Sequence, residues 1–256
     1  MDLDLNNKIV IISGGANGIG AEATRYFSKE GAIPIILDID EEAGQEISRK
    51  VPKSHFIKTD LTNESDCKNA IDTVLEKYKN IHILINNAGI NDKIGLNNSV
   101  EDFEKSLKKN LIHYFILVKY SWEALKKTKG SIVNISSKVA VIGQGKTSGY
   151  AASNGAILAL TKEWAIEGLP FNIRVNAIVP AEVYTKGYKK WLKLQENPTG
   201  LKKKIEDRIP LGKRMTTPKE IAKSILYLAS DMSSHSTGEV IFPDGGYVNI
   251  DYPLFD

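Results

Sequence analysis

Gly14, Gly18 and Gly20 fall in the spacing G-x-x-x-G-x-G within SGGANGIG, directly after the apolar run KIVIIS. Lacking Cβ atoms, they let the chain turn sharply from a strand into a helix. They also let a pyrophosphate approach the amide groups at the helix N-terminus, where the dipole favours negative charge. A turn that packs a helix tightly on a strand would use glycine too, so a second residue has to decide. Asp38 follows the next apolar run, IPIIL. It stands about twenty residues beyond the turn, where a carboxylate accepts hydrogen bonds from both ribose hydroxyls of adenosine. A 2'-phosphate there would meet like charge, and neighbouring Ile39 and Asp40 supply no cation, so NAD is expected rather than NADP. Asp38 could also serve as N-cap of a helix over EEAGQEI.

Tyr150 and Asn154 stand four residues apart in GYAASNGA, which places them on one face of a helix, and Ser137 precedes Tyr150 by thirteen. A phenol can give up a proton and act as a base. Its ordinary pKa near 10 is too high for neutral pH, so a cation is wanted beside it. Together with NNAG at 86–89 and Asn110, these residues resemble the short-chain dehydrogenase/reductase family. Asp60 and Leu61 after the third apolar run, Pro180 to Thr185 after the sixth, and DGG at 244–246 extend the likeness nearly end to end.

The resemblance implies that Tyr150 is the acid/base, Ser137 holds the reacting oxygen and Asn110 anchors a water relay. It further implies a lysine at position 154, where this chain has Asn154. An amide can donate to a ribose hydroxyl but carries no charge. At about 5 Å and an effective dielectric near 20, the missing charge amounts to roughly 3 kcal/mol, or about two pKa units, so weakened activity is expected. Lys138 and Lys146 are the cations nearest in sequence, although neither has the helical register of residue 154.

Cofactor contacts carried over from the family begin at the turn, with Gly14, Asn17, Gly18, Ile19 and Gly20. Asp38, Asp60, Leu61, Asn87 and Gly89 continue them, and Tyr150, Asn154, Pro180, Val183 and Thr185 complete them. Ser13 stands where the family usually has threonine, and Ala181 where it usually has glycine, which would strain the loop if that backbone needs positive φ. A homotetramer is implied as well.

Seven short apolar runs (KIVIIS, IPIIL, HFIKT, IHILIN, SIVNIS, RVNAIV and EVIF) must position these groups, and helical patterning lies between most of them. Runs so rich in Ile and Val suit strands covered on both faces. The expectation is one α/β domain over 1–256, a Rossmann-type doubly wound parallel sheet of seven strands with helices on both faces. Residues 184–206 break the rhythm with seven lysines. They are expected to form a lid-like amphipathic excursion with Leu192, Leu194 and Leu201 turned inward.

Composition narrows the partners. With 34 basic and 31 acidic residues the net charge is +3, too balanced to draw the protein to nucleic acid. The start lacks a basic n-region and no apolar stretch could span a bilayer, so no membrane partner and a cytoplasmic location are expected. His55, His82, His113 and His235 are scattered, so no metal is expected, and Cys67, the single cysteine, reads as a surface or half-buried residue.

For substrate, NISSKVAVIGQGKTSGYAAS and VNAIVPAEVYT are most similar to the L-fucose dehydrogenase branch of the family, which also includes hydroxysteroid enzymes. Asn91, Gln144 and Glu182 could point polar groups at a sugar, with Ser137 and Tyr150 at its reacting hydroxyl. Glu182 could equally be a surface carboxylate, and Trp191 could close over the sugar or merely anchor the lid. A small-molecule substrate, a sugar, is therefore expected. The competing readings are a hydroxysteroid dehydrogenase, a catalytically silent NAD-binding protein and an interaction module using the lysine-rich segment.

Overall fold

The computed structural model describes residues 3–251. Each apolar run becomes a strand: β1 Ile9–Ser13, β2 Ile33–Asp38, β3 His55–Lys58, β4 Ile83–Asn86, β5 Ser131–Ile135, β6 Arg174–Ile178 and β7 Val240–Ile241. All pair in parallel, in the order β3-β2-β1-β4-β5-β6-β7. Every residue of β1, β4 and β5 is buried, which is why their sequences do not alternate.

Between the strands run α1 Gly18–Lys29, α2 Glu41–Lys50, α3 Glu64–Tyr78, α4 Val100–Leu107, α5 His113–Thr128, α6 Ser148–Gly168, α7 Lys186–Lys193, α8 Pro198–Glu206 and α9 Pro218–Ala229. On one face of the sheet Phe27 of α1 and Ile221 and Ile225 of α9 pack on Val10, Ile12 and Ile85, and Ile47 of α2 joins Ile36. On the other, Ile71 of α3, Leu117 of α5 and Ile157 and Trp164 of α6 pack on Ile11, Leu84 and Ile132. This is the single-domain α/β fold that the apolar runs call for. The strand order reverses between β1 and β4, opening a crevice at their carboxyl ends where α/β sheets bind ligands.

The 184–206 excursion forms α7 and α8, held down by Leu192, Ile209 and Met215 with Tyr184, Tyr188, Trp191, Leu201 and Tyr247 packed around them. Leu192 is buried and Leu201 half-buried, but Leu194 is 84% exposed, against expectation. It is the C-cap residue of α7, where the helix has already ended and no longer sets the side chain's direction. Among the described residues no helix is long and apolar enough to cross a membrane.

Cys67 also departs from expectation, being fully buried on the inner face of α3 with its thiol directed at the Leu61 carbonyl. Burial, reinforced by Asp66 and Asp60, pushes its pKa up to about 12. A buried thiol is a poor nucleophile. We therefore expect the native protein to react with a disulfide reagent such as DTNB at least ~100-fold more slowly than the guanidinium-unfolded chain. Comparable rates in the two states would contradict the packing of α3.

Candidate active site

The turn after β1 is tight enough to exclude side chains. Gly14 and Gly18 have φ of 64° and 55°. A Cβ on Gly20 would lie 2.1 Å from the Gly14 carbonyl oxygen. The Ser13 hydroxyl accepts hydrogen bonds from the Asn87 and Ala88 amides at 2.9 and 3.2 Å. The Asn87 side chain returns two, to the carbonyls of Ser13 and Gly14 at 3.0 and 3.1 Å. Serine thus supplies the hydroxyl that threonine usually would, and the ends of β1 and β4 are locked together.

Helix α1 has no side-chain cap. Its N-cap residue, Asn17, instead donates to Asp40 at 3.1 Å. Asp40, not Asp38, caps α2 by accepting from the Ala43 amide, because α2 begins two residues later than the end of β2 suggests. Asp38 accepts from the Ala16 and Asp40 amides at 3.0 and 3.1 Å and stands half-buried beside the turn. Uncapped amides, a glycine cradle that a Cβ would fill and an adjacent carboxylate suit the pyrophosphate and ribose of a dinucleotide.

Other carried-over residues gather at the same edge. Thr185, N-cap of α7, lies over the turn, its methyl 3.5 Å from where a Gly18 Cβ would be. Val183 is buried and bridges to Thr216, while Ile19 is half-buried against the α1/α9 core. Asp60 spends one oxygen on the amide and hydroxyl of Thr62, and Leu61 packs on the core. The Pro180 carbonyl accepts from the Lys138 amide at 2.9 Å. Ala181 is not among the positive-φ residues, so no strain arises there.

Asn110 lies in a π-helical turn, Lys108–Ile112, that widens the junction between α4 and α5. Its side chain accepts from the Ile90 amide at 2.7 Å and donates to the Ser106 carbonyl at 3.0 Å. Gly89 faces it, since a Cβ there would come 3.3 Å from the Asn110 oxygen. At the end of β5, Ser136 donates to the Asn154 carbonyl at 3.0 Å and so holds α6 against Ser137.

The side chains of Ser137 and Asn154 act on the Tyr150 phenol, and both favour its ionised form. Burial outweighs them and raises its pKa above the ordinary tyrosine value. No cation is among the groups acting on it. Asn154, itself buried, also donates to the Tyr150 carbonyl at 2.8 Å, one helical turn back. Lys146 is exposed on the preceding loop, and Lys138 turns elsewhere.

Lys138 is buried, and its ammonium pairs with Glu182 beside the Tyr247 hydroxyl at 3.4 Å. The other Glu182 oxygen accepts from Tyr188 of α7 at 2.6 Å. Glu182 is therefore an inward carboxylate, and the network ties α7 to the residue following Ser137. Trp191 packs edge-on to Tyr188, 5.2 Å between ring centroids, and anchors α7. Asn91 and Gln144 are exposed on the flanking loops; Asn91 caps its own turn through the Lys93 amide. In the sequence Lys138 stood out only as a substitute cation. Tyr188 and Tyr247 carried no such signal beyond, for Tyr247, its place directly after DGG.

Residues 14–248 match the family model described as Enoyl-(Acyl carrier protein) reductase. The chain is 32% identical to L-fucose dehydrogenase of Bos taurus over 93% of its length and 88% of the relative's. It is 34% identical to cyclopentanol dehydrogenase of Comamonas sp., covering 95% and 98% of the two chains. Among solved structures, Cj0485 dehydrogenase superposes with a TM-score of 0.96 at 42% identity over the whole of both chains. The ligand-free aldohexose dehydrogenase of Thermoplasma acidophilum superposes at 0.89 with 30% identity, covering 99% and 100%.

The clash at Gly20 makes a direct test of the cradle. Gly20→Ala should weaken binding of NADH, followed by its fluorescence, by at least ~10-fold, because the turn must open by more than an ångström. Gly155→Ala, where a Cβ meets nothing within 4 Å, should leave it unchanged. Equal affinity in Gly20→Ala and the parent would contradict a binding site at this turn.

Proposed function

This chain belongs to the short-chain dehydrogenase/reductase family, and from that premise we propose that it oxidises a sugar, L-fucose or a related aldose, to the lactone with NAD. NAD, when bound, supplies the hydride acceptor. The observation that carries the reading is the half-buried Tyr150, on whose phenol the side chains of Ser137 and Asn154 act, at the same sheet edge as the glycine turn. As phenolate, Tyr150 accepts the proton of the anomeric hydroxyl while hydride leaves the carbon. Ser137 steadies the oxygen, and Asn110, with its side chain committed to the Ile90 amide, holds the neighbouring backbone open for a water relay.

A sugar is favoured by the polar groups of Glu182, Asn91 and Gln144 around the cleft and by the L-fucose and aldohexose dehydrogenases among the similar proteins. NAD is favoured by Asp38, whose carboxylate beside the turn would repel a 2'-phosphate. Segment 184–206 acts as a substrate lid. Assembly as a homotetramer and a cytoplasmic location complete the proposal; exposed Phe115 of α5 and Ile166 of α6 offer apolar surface for such assembly.

A second reading, a silent dinucleotide-binding protein, draws on Asn154 alone. The two separate in one experiment. Asn154→Lys places an ammonium about 5 Å from the phenol, which should lower its pKa by about two units and raise neutral-pH turnover at least ~10-fold. The alkaline limb of the parent's pH–rate profile should move down with it, because phenolate is the active form. Dinucleotide affinity should change little, and NAD should bind tighter than NADP in both proteins. Superimposable profiles would mean that another group activates Tyr150, and tighter NADP binding would remove the assignment to Asp38.

A further inference from the structure

A lysine ammonium is seldom buried without being fully hydrogen-bonded, because removing it from water is expensive. The Lys138 side chain is only 9% exposed and that of Glu182 13%. Three N–H donors leave the ammonium. One goes to Glu182, and a second has only the long 3.4 Å approach to the Tyr247 hydroxyl, with the Tyr247 ring centroid 4.4 Å below. The third has no oxygen acceptor among the described residues. Glu182 in turn keeps spare lone pairs on both oxygens. Tyr188, held protonated by burial and by Glu182, donates to one of them and can accept on its own oxygen.

The place of this network matters as much as its chemistry. Lys138 directly follows Ser137, Glu182 lies two residues past Pro180, and Tyr188 belongs to the first turns of α7. It therefore borders the cleft between the end of β5 and the lid. It offers one unspent strong donor beside unspent acceptors on a carboxylate. A hydroxyl group, both donor and acceptor, satisfies the two at once.

We infer that Lys138 and Glu182 form a specificity element that selects a neutral polyhydroxylated substrate, one hydroxyl of which accepts from Lys138 and donates to Glu182. This rests on the sugar reading above and narrows it. A sugar acid or sugar phosphate would satisfy Lys138 but bring a second negative charge against Glu182, whose own counter-charge is already engaged. An apolar alcohol would satisfy neither group and would complete their desolvation. Arg208 lies over the Tyr247 ring at 5.4 Å, and being exposed it is screened by solvent.

The test is calorimetric titration of the NADH-loaded protein with L-galactose, L-galacturonate and cyclopentanol, so that chemistry at Tyr150 does not enter. The parent should bind L-galactose at least ~10-fold more tightly than L-galacturonate. Lys138→Met should weaken L-galactose by about 10- to 100-fold and leave cyclopentanol within about twofold, while Lys138→Arg, which keeps charge and donors, should restore much of the loss. Glu182→Gln should narrow the gap between L-galactose and L-galacturonate. L-galactose binding that ignores Lys138→Met, or equal losses for L-galactose and cyclopentanol, would overturn the inference alone. NADH binding with no sugar binding by the parent would overturn the sugar reading and the inference with it.

Discussion

Seven strands running in one direction bring every carboxyl end to one edge of the sheet, and the cleft depends on that geometry. The glycine turn leaves β1, Asp38 ends β2, Asn87 follows β4, Ser137 follows β5 and Pro180 follows β6. None needs a long loop to reach its neighbours. What fixes their mutual distances is a set of cross-strand hydrogen bonds at the rim. Ser13 and Asn87 join β1 to β4, Ser136 joins β5 to α6, and the Lys138 amide joins the loop after β5 to that after β6. Below them Asn86, Asn134 and Thr161 hold α6 to the sheet with side-chain bonds of 3.0 and 2.9 Å.

Charge is distributed unevenly along this edge. Around the glycine turn stand backbone amides and the carboxylates of Asp38 and Asp40, groups that suit an anion and a diol. Around Tyr150 the groups are neutral, and desolvation raises the phenol's pKa with the side chains of Ser137 and Asn154 opposing it. The nearest buried lysine in sequence, Lys138, is engaged by Glu182. The proposed cofactor contacts are thus independent of residue 154, and the proposed substrate contacts rest on a separate ion pair. Only the proposed proton-transfer step is left short of positive charge.

Much of this was legible in the sequence because it is local or periodic. Ile- and Val-rich runs identify buried strands, glycine spacing identifies a turn, and four-residue spacing puts Tyr150 and Asn154 on one face. Exposed and buried polar residues were harder. Nothing in ESDCKNAIDTVL distinguishes an inward Cys67 from an outward one without knowing which face α3 presents. Asp38 and Asp40 are equally plausible caps until the start of α2 is known. The Lys138, Glu182, Tyr188 and Tyr247 network joins segments up to 109 residues apart, a tertiary pairing that no local pattern encodes.

The central claim is that Tyr150 lacks a cation and is held above its ordinary pKa by burial. It is tested most directly by titrating the phenol itself. Tyrosine labelled with carbon-13 at Cζ, with the Tyr150 signal assigned by its loss in Tyr150→Phe, reports ionisation by chemical shift in the free protein. The account requires Tyr150 to remain protonated above pH 10, beyond an ordinary exposed tyrosine. A midpoint well below 10 in the unliganded chain would show that a positive charge acts on the phenol, and would contradict this account of the site.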